Sequence, residues 1–113
     1  MEDETKKIDK IIAELDANEN VIKNEDGTKT VLLTETVSHN GSMIDKVTFR
    51  KPRGKDLRVM DMEKGDLAKG FRLAASLSGL SFATFDEMTG DDAMLCTTVA
   101  STMGKKLITG EKP

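Results

Sequence analysis

His39 and Cys96 are the only histidine and the only cysteine in the chain, and neither keeps the company that catalysis requires. A general base needs a partner within proton-transfer reach, whereas His39 adjoins Asn40-Gly41, a strong signal for a tight hairpin turn where exposed polar residues are ordinary. Cys96 falls with Leu95, Val99 and Ala100 on the apolar side of a predicted helix, the setting of a buried, inert thiol rather than a nucleophile. One cysteine and one histidine cannot assemble a zinc site. Gly54-Lys55-Asp56 lacks both the upstream glycine and the Ser or Thr after lysine that a phosphate-binding loop needs. Asp61, Glu63 and Asp66 straddle Gly65 without calcium-loop spacing. These residues designate no catalytic group, no metal site and no cofactor, and they read as a protein that is not an enzyme.

The residue types suited to binding are more abundant. Met60, Met62, Met88, Met94 and Met103 all fall on predicted helices or their ends. Flexible thioethers fill gaps in cores, and they also line surfaces that accommodate varied apolar helices. The composition thus suits a binding module better than an enzyme.

The elements that must carry these residues can be placed in order. Ile8, Ile11, Ile12 and Leu15 recur at helical spacing, which predicts a short amphipathic helix starting near Asp3 or Glu4. Residues 16–29 read as a polar connection. Residues 30–38 read as a strand with Val31, Leu33 and Val37 on one face, and residues 43–50 as its return with Val47 and Phe49 inward. A lone hairpin is barely stable, so this one must lean on helices or pair with another chain. Pro52 ends the return strand, Gly54 lets the backbone turn, and a helix begins at Lys55 or Asp56 with Leu57, Met60 and Val59 on its buried side. Gly65 breaks that helix near Glu63 or Lys64, and Asp66 is placed to cap the next. There Leu67, Phe71, Ala74 and Leu77 form an apolar stripe ending at Gly79, a left-handed cap closed by Leu80. Ser81 caps a short helix containing Phe82, Phe85 and Met88. Thr89 and Asp92 open a last helix carrying Leu95, Cys96, Val99, Ala100 and Met103, which frays at Gly104.

The fold class is therefore α+β: an N-terminal helix and β-hairpin followed by a small C-terminal helical bundle. The expected organisation is residues 1–29 as acidic helix and polar linker, 30–105 as one domain (hairpin 30–50, helices 55–104) and 106–113 as a flexible tail. With 113 residues, 37% hydrophobic residues and four Phe but no Tyr or Trp, the core must be light. A small domain of this kind gains from association, and a homo-oligomer is expected.

The net charge of −3 argues against a nucleic-acid partner, but the charge is unevenly spread. Residues 46–72 hold nine Lys or Arg against four Asp or Glu, whereas residues 1–30 hold five against nine. The alternative function this raises is a small helix-turn-helix DNA-binding regulator, with Arg50, Lys51, Arg53, Lys55 and Arg58 on phosphates. Against it, the second helix carries only Lys69 and Arg72 as cations on an otherwise small and apolar surface. A single cysteine permits no disulfide framework, the acidic amino terminus reads as no secretory signal, and no segment approaches the ~20 apolar residues of a membrane span. A cytoplasmic protein without a membrane partner follows.

One resemblance gives these elements a purpose. Phe49-Arg50-Lys51-Pro52-Arg53-Gly54-Lys55-Asp56-Leu57-Arg58, followed by Lys64-Gly65-Asp66 and Leu77-Ser78-Gly79-Leu80, resembles the tail assembly chaperones of contractile-tailed, Mu-like phages and prophages. The likeness covers roughly residues 30–105 and rests on structural punctuation, so it transfers no active site. It implies a non-enzymatic protein of the host bacterial cytoplasm that binds the tape measure protein and keeps it soluble until the tail tube polymerises around it. A long amphipathic client exposes apolar stripes, and thin-skinned helices can cover them. On that implication the protein-binding residues are Leu67, Phe71, Ala74, Leu77, Phe82, Phe85, Leu95 and Val99, although the same residues would also serve as plain core. The resemblance further implies a longer form of the protein made by frameshifting near the end of the reading frame.

Overall fold

The computed structural model describes residues 10, 11, 13–15 and 17–103. The expected starts of the first helix, at residues 3–4, and the tail from Lys105 lie outside the described residues. Residues 10, 11 and 13–15 are helical, and Leu15 is buried in the core.

Three strands form an antiparallel sheet in the order β1 (Val21–Lys23), β2 (Lys29–His39) and β3 (Ser42–Phe49). Asn40 (φ 51°) and Gly41 (φ 80°) both take positive φ, as a type I′ turn between β2 and β3 demands. Strand β1 lies within the stretch expected to be a polar connection. Its three residues have no alternating pattern long enough to read, and only pairing with β2, at Val21↔Val31, Ile22↔Thr30 and Lys23↔Lys29, extends them. The turn between β1 and β2 is held by Asn24, whose side-chain amide donates to the hydroxyls of Thr28 (2.9 Å) and Thr30 (3.0 Å). Gly27 takes φ 88° there, a backbone conformation that favours glycine, and the Lys51 side chain lies over it.

The β2–β3 ladder is interrupted. Leu32 pairs with Lys46 and Val37 with Ile44, so residues 33–36 stand opposite the single Asp45. The bulge keeps both Val31 and Val37 pointing into the core although the pairing between them slips.

Four helices follow: α1 (Gly54–Asp61), α2 (Asp66–Ser78), α3 (Phe82–Asp86) and α4 (Gly90–Met103). Helix α1 starts one residue before the expected Lys55 or Asp56, with Arg53 at the N-cap and Gly54 at negative φ inside the first turn. Its buried side was expected to be Leu57, Val59 and Met60. Those three are half-buried, with Met60 packed partly against the core, and the one fully buried residue is Asp56, held by an ion pair and hydrogen bonds. Asp66 does not act as a side-chain cap. Gly65, at φ 88°, occupies the N-cap of α2, which places Asp66 in the first turn, where its carboxylate still faces the positive end of the helix.

Gly79 closes α2 in the left-handed conformation (φ 78°), its N–H donating to Ala75 at 2.9 Å. Ser81 caps α3 by accepting from the Thr84 N–H at 3.3 Å, and Met88, expected within that helix, is buried just beyond its end. Thr89 accepts from the Asp92 N–H at 3.1 Å at the start of α4. Val31, Val37, Val47 and Phe49 of the sheet pack with Leu73, Ala74, Leu77, Phe85, Cys96, Val99 and Ala100 in a single core. Among the described residues, no helix is long and apolar enough to cross a membrane.

Two buried carboxylates join these layers. Asp56 receives both guanidinium nitrogens of Arg50 (2.7 and 2.9 Å), the Arg53 N–H (2.7 Å) and the Ser76 hydroxyl. Arg50 also donates to the Ser76 carbonyl at 3.0 Å, and its own N–H to the Leu77 carbonyl at 3.1 Å. Asp92 accepts from Thr34 N–H (2.9 Å), Thr34 Oγ1 (3.0 Å) and Glu35 N–H (3.4 Å), tying the head of α4 to the bulge of β2.

Burial pushes the Asp56 carboxyl up, but Arg50, Ser76 and the Arg53 N–H more than offset it, and its pKa falls from 3.8 to about 2. A carboxyl held below its unfolded value stabilises the fold above that value, and the stabilisation disappears as pH falls through the folded value. Urea unfolding across a pH series is expected to show a loss of about 2 kcal/mol between about pH 4 and pH 2 that Asp56→Asn lacks. Asp56→Ala, which leaves Arg50 without its buried partner, is expected to lower unfolding free energy at pH 7 by about 3 kcal/mol.

Candidate protein-binding surface

The α2 sequence Asp-Leu-Ala-Lys-Gly-Phe-Arg-Leu-Ala-Ala-Ser-Leu-Ser supports two apolar faces, and the tertiary structure uses them differently. Gly70, Leu73, Ala74 and Leu77 are buried. Gly70 is where α2 approaches α4: a Cβ there would meet Thr97 Cβ at 3.5 Å and Ser101 Oγ at 3.6 Å. The outer face carries Leu67, Ala68, Phe71 and Ala75, which helical geometry sets side by side at spacings of three and four. Leu67 is 56% exposed, and the other three are half-buried.

Helix α3 extends this face. Phe71 meets Phe85 edge to face, with ring centroids 6.2 Å apart, and Phe85 is buried. Phe82 stays 37% exposed, with the Arg72 guanidinium 4.4 Å above its ring. Arg72 is itself held by Glu63, which accepts from Nε at 3.0 Å and from Nη2 at 2.6 Å. A salt bridge thus fixes a cation over an aromatic ring at the protein surface. The product is an apolar patch with one charged border, suited to covering the apolar side of another polypeptide.

The eight residues expected to bind divide by burial. Ala74, Leu77, Phe85 and Val99 are buried, and their side chains are occupied within the core. Leu67 and Phe82 are exposed, while Phe71 and Leu95 are half-buried. Leu73, absent from the expected stripe, takes the core position that Leu67 does not, since the core lies closer to residues 70, 73, 74 and 77 than the simple spacing indicates. Of the five methionines on predicted helices or their ends, Met62 (82% exposed) and Met94 (52% exposed) face outward, Met88 is buried, and Met60 and Met103 pack partly against the core; Met43 on β3 is exposed as well.

His39, Cys96, Arg50 and Lys51 have neighbours within the fold, whereas Arg53, Lys55 and Arg58 are exposed. His39 Nδ1 lies 3.2 Å from Thr84 Oγ1, and its Nε2 lies 3.3 Å from Asn40 Nδ2, at the hairpin end of the sheet. Cys96 is buried, and desolvation, reinforced by Asp92, pushes its thiol up to about 12, the opposite of activation. Of the cations assigned to phosphate in the DNA-binding alternative, Arg50 is engaged by Asp56, and Lys51 lies over Gly27 beside Asp26. Leu67, Ala68, Phe71 and Ala75 occupy the outward face where a recognition helix would present polar groups. Among the described residues, no cluster of His, Cys, Asp and Glu has the arrangement of a metal site.

Residues 30–103 match the family described as phage tail assembly chaperone proteins, E, or 41 or 14. No curated protein and no solved structure matches the chain.

The two faces of α2 should separate in a stability measurement. Leu77→Ala is expected to lower unfolding free energy by about 2–5 kcal/mol, as for buried leucines generally. Leu67→Ala is expected to stay within about 0.5 kcal/mol of the parent protein in the same urea titration.

Proposed function

This chain belongs to the phage tail assembly chaperone family, and on that premise we propose that it binds the tape measure protein and keeps it soluble in the host cytoplasm while the tail tube assembles. Family membership points to a binding role rather than to catalysis. The observation that carries the reading is the outer face of α2: exposed Leu67 beside half-buried Ala68, Phe71 and Ala75, continued by exposed Phe82.

The physical chemistry fits a helical client. A helix lying on this face meets alanines at Ala68 and Ala75, which allow close backbone approach, flanked by two larger anchors at Leu67 and Phe71. Phe82 closes one end, where the Glu63–Arg72 ion pair borders the patch. An apolar patch of modest size gives reversible binding, and a chaperone must release its client to the assembling tube. Ala74, Leu77, Phe85 and Val99 support the surface from beneath rather than touching the client.

The test is co-expression with the tape measure protein encoded alongside it. The parent chain is expected to raise the soluble fraction of the client and to co-elute with it. Leu67→Asp and Phe82→Asp should lose co-elution by at least about tenfold in affinity while keeping the parent circular dichroism and melting temperature. A client equally soluble with and without the chain would refute the reading.

A further inference from the structure

Helix α1 begins against the ordinary preference of helix ends. Its N-cap is Arg53 and its second residue is Lys55, cations at the pole of the helix that favours carboxylates. Arg53, Lys55 and Arg58 are all exposed, and no carboxylate among the described residues forms an ion pair with them. The other arginines are neutralised within the fold, Arg50 by Asp56 and Arg72 by Glu63. The same side of α1 then turns apolar. Lys55, Arg58, Val59 and Met62 lie three or four residues apart along one helical face, Met62 keeping helical dihedrals at the C-cap. Met62 is 82% exposed, and with Arg58, Val59 and Asp61 it lines an open groove of about 380 Å³. Helix stability favours neither the cations at the start of this face nor the bare methionine at its end.

On the reading of α2 as the client surface, on which this depends, we propose that the exposed face of α1 is a second contact for the same client. It takes an acidic amphipathic segment, whose carboxylates meet Arg53, Lys55 and Arg58 and whose apolar side chains enter the groove at Val59 and Met62. The uncompensated cations select the sign of the partner, and Asp61 selects its kind. A carboxylate in the wall of the groove, with exposed Asp66 just beyond the turn at Gly65, repels a continuous polyanion such as nucleic acid. A polypeptide can present carboxylates over one helical turn and apolar residues over the next. Lys55 and Arg58 stand about one turn apart, so two carboxylates three or four residues apart on a client helix match them. The end of α1 also reaches the α2 patch. Glu63, next to Met62, accepts from Arg72 at 2.6 Å, and Arg72 lies over Phe82, so one client can engage both faces. Surface charge of this kind governs the rate and choice of encounter, which serves a chaperone that must find its client early.

The complex formed by co-expression of the full chain with the tape measure protein carries the test. A carbodiimide, which joins an amine to a carboxylate in direct contact, is expected to link Lys55 to an Asp or Glu of the client, whereas exposed Lys46 on β3 stays unlinked. The double variant Lys55→Glu with Arg58→Glu is expected to hold the client at least about tenfold more weakly at about 0.1 M salt. Its difference from the parent should shrink at about 1 M, where the screening length is about 3 Å. Leu67→Asp should lose the client at both salt concentrations. The double variant is expected to melt no lower than the parent, because a carboxylate suits the start of α1, so its loss of client is not unfolding. Unchanged retention of the client by the double variant overturns the inference and leaves the α2 reading standing, and so does a cross-link at Lys46 with none at Lys55. A parent chain that holds no client overturns both. A double variant that loses affinity for duplex DNA while holding the client as the parent does overturns the inference too, and assigns these cations to nucleic acid.

Discussion

Asp56 is fully buried, and the arrangement of three elements follows from what its carboxylate holds. The end of β3 arrives through Arg50, the start of α1 through the Arg53 N–H, and the last turn of α2 through Ser76. An isolated carboxylate in this position would be expelled or neutralised, since burial alone raises the free energy of its charged form. Here a bidentate guanidinium, a backbone N–H and a hydroxyl replace the lost water. Arg50 is half-exposed, which limits the desolvation cost on its side of the pair. Once Asp56 is fixed, α1 cannot roll, and the turn at Gly65 must deliver α2 along one line. That line decides which face of α2 looks outward.

A second buried carboxylate, Asp92, repeats the device. Asp92 neutralises backbone donors that the bulge in β2 would otherwise leave open, and it does so from the first turn of α4. The core has only Phe49 and Phe85 as fully buried aromatics, so apolar contact alone specifies the sheet-to-helix geometry weakly. Two satisfied carboxylates supply direction that aliphatic packing does not. Among the described residues, no buried side-chain polar atom is left without a partner, which is the condition under which such clamps orient rather than destabilise.

With the helices oriented in this way, their outer faces become the functional question. Helix α2 turns out a strip of leucine, alanine and phenylalanine bounded by Arg72, and α4 turns out methionine, leucine and threonine methyls without a charge.

Much of the local structure was legible in the residues. Asn40-Gly41 set the hairpin turn, Gly79 and Leu80 the end of α2, Ser81 and Thr89 the caps of α3 and α4, and the apolar neighbours of Cys96 its burial, because each is a short-range preference of the backbone or of a single helix face. The motif from Phe49 to Arg58 pointed to the family by its pattern, without revealing that Arg50 and Asp56 pair. Tertiary structure alone decided four things: the pairing of β1, the bulge opposite Asp45, the rotation of α2 that buries Leu73 and exposes Leu67, and the exchange of an apolar face on α1 for Asp56. Three of them depend on residues outside the element itself: Val31 for β1, Asp92 for the bulge, Ser76 and Arg50 for α1. A periodicity of three and four fixes that a helix has an apolar side, but two overlapping stripes on α2 satisfy it equally. Only the position of the sheet and of α4, met at Gly70, selects between them.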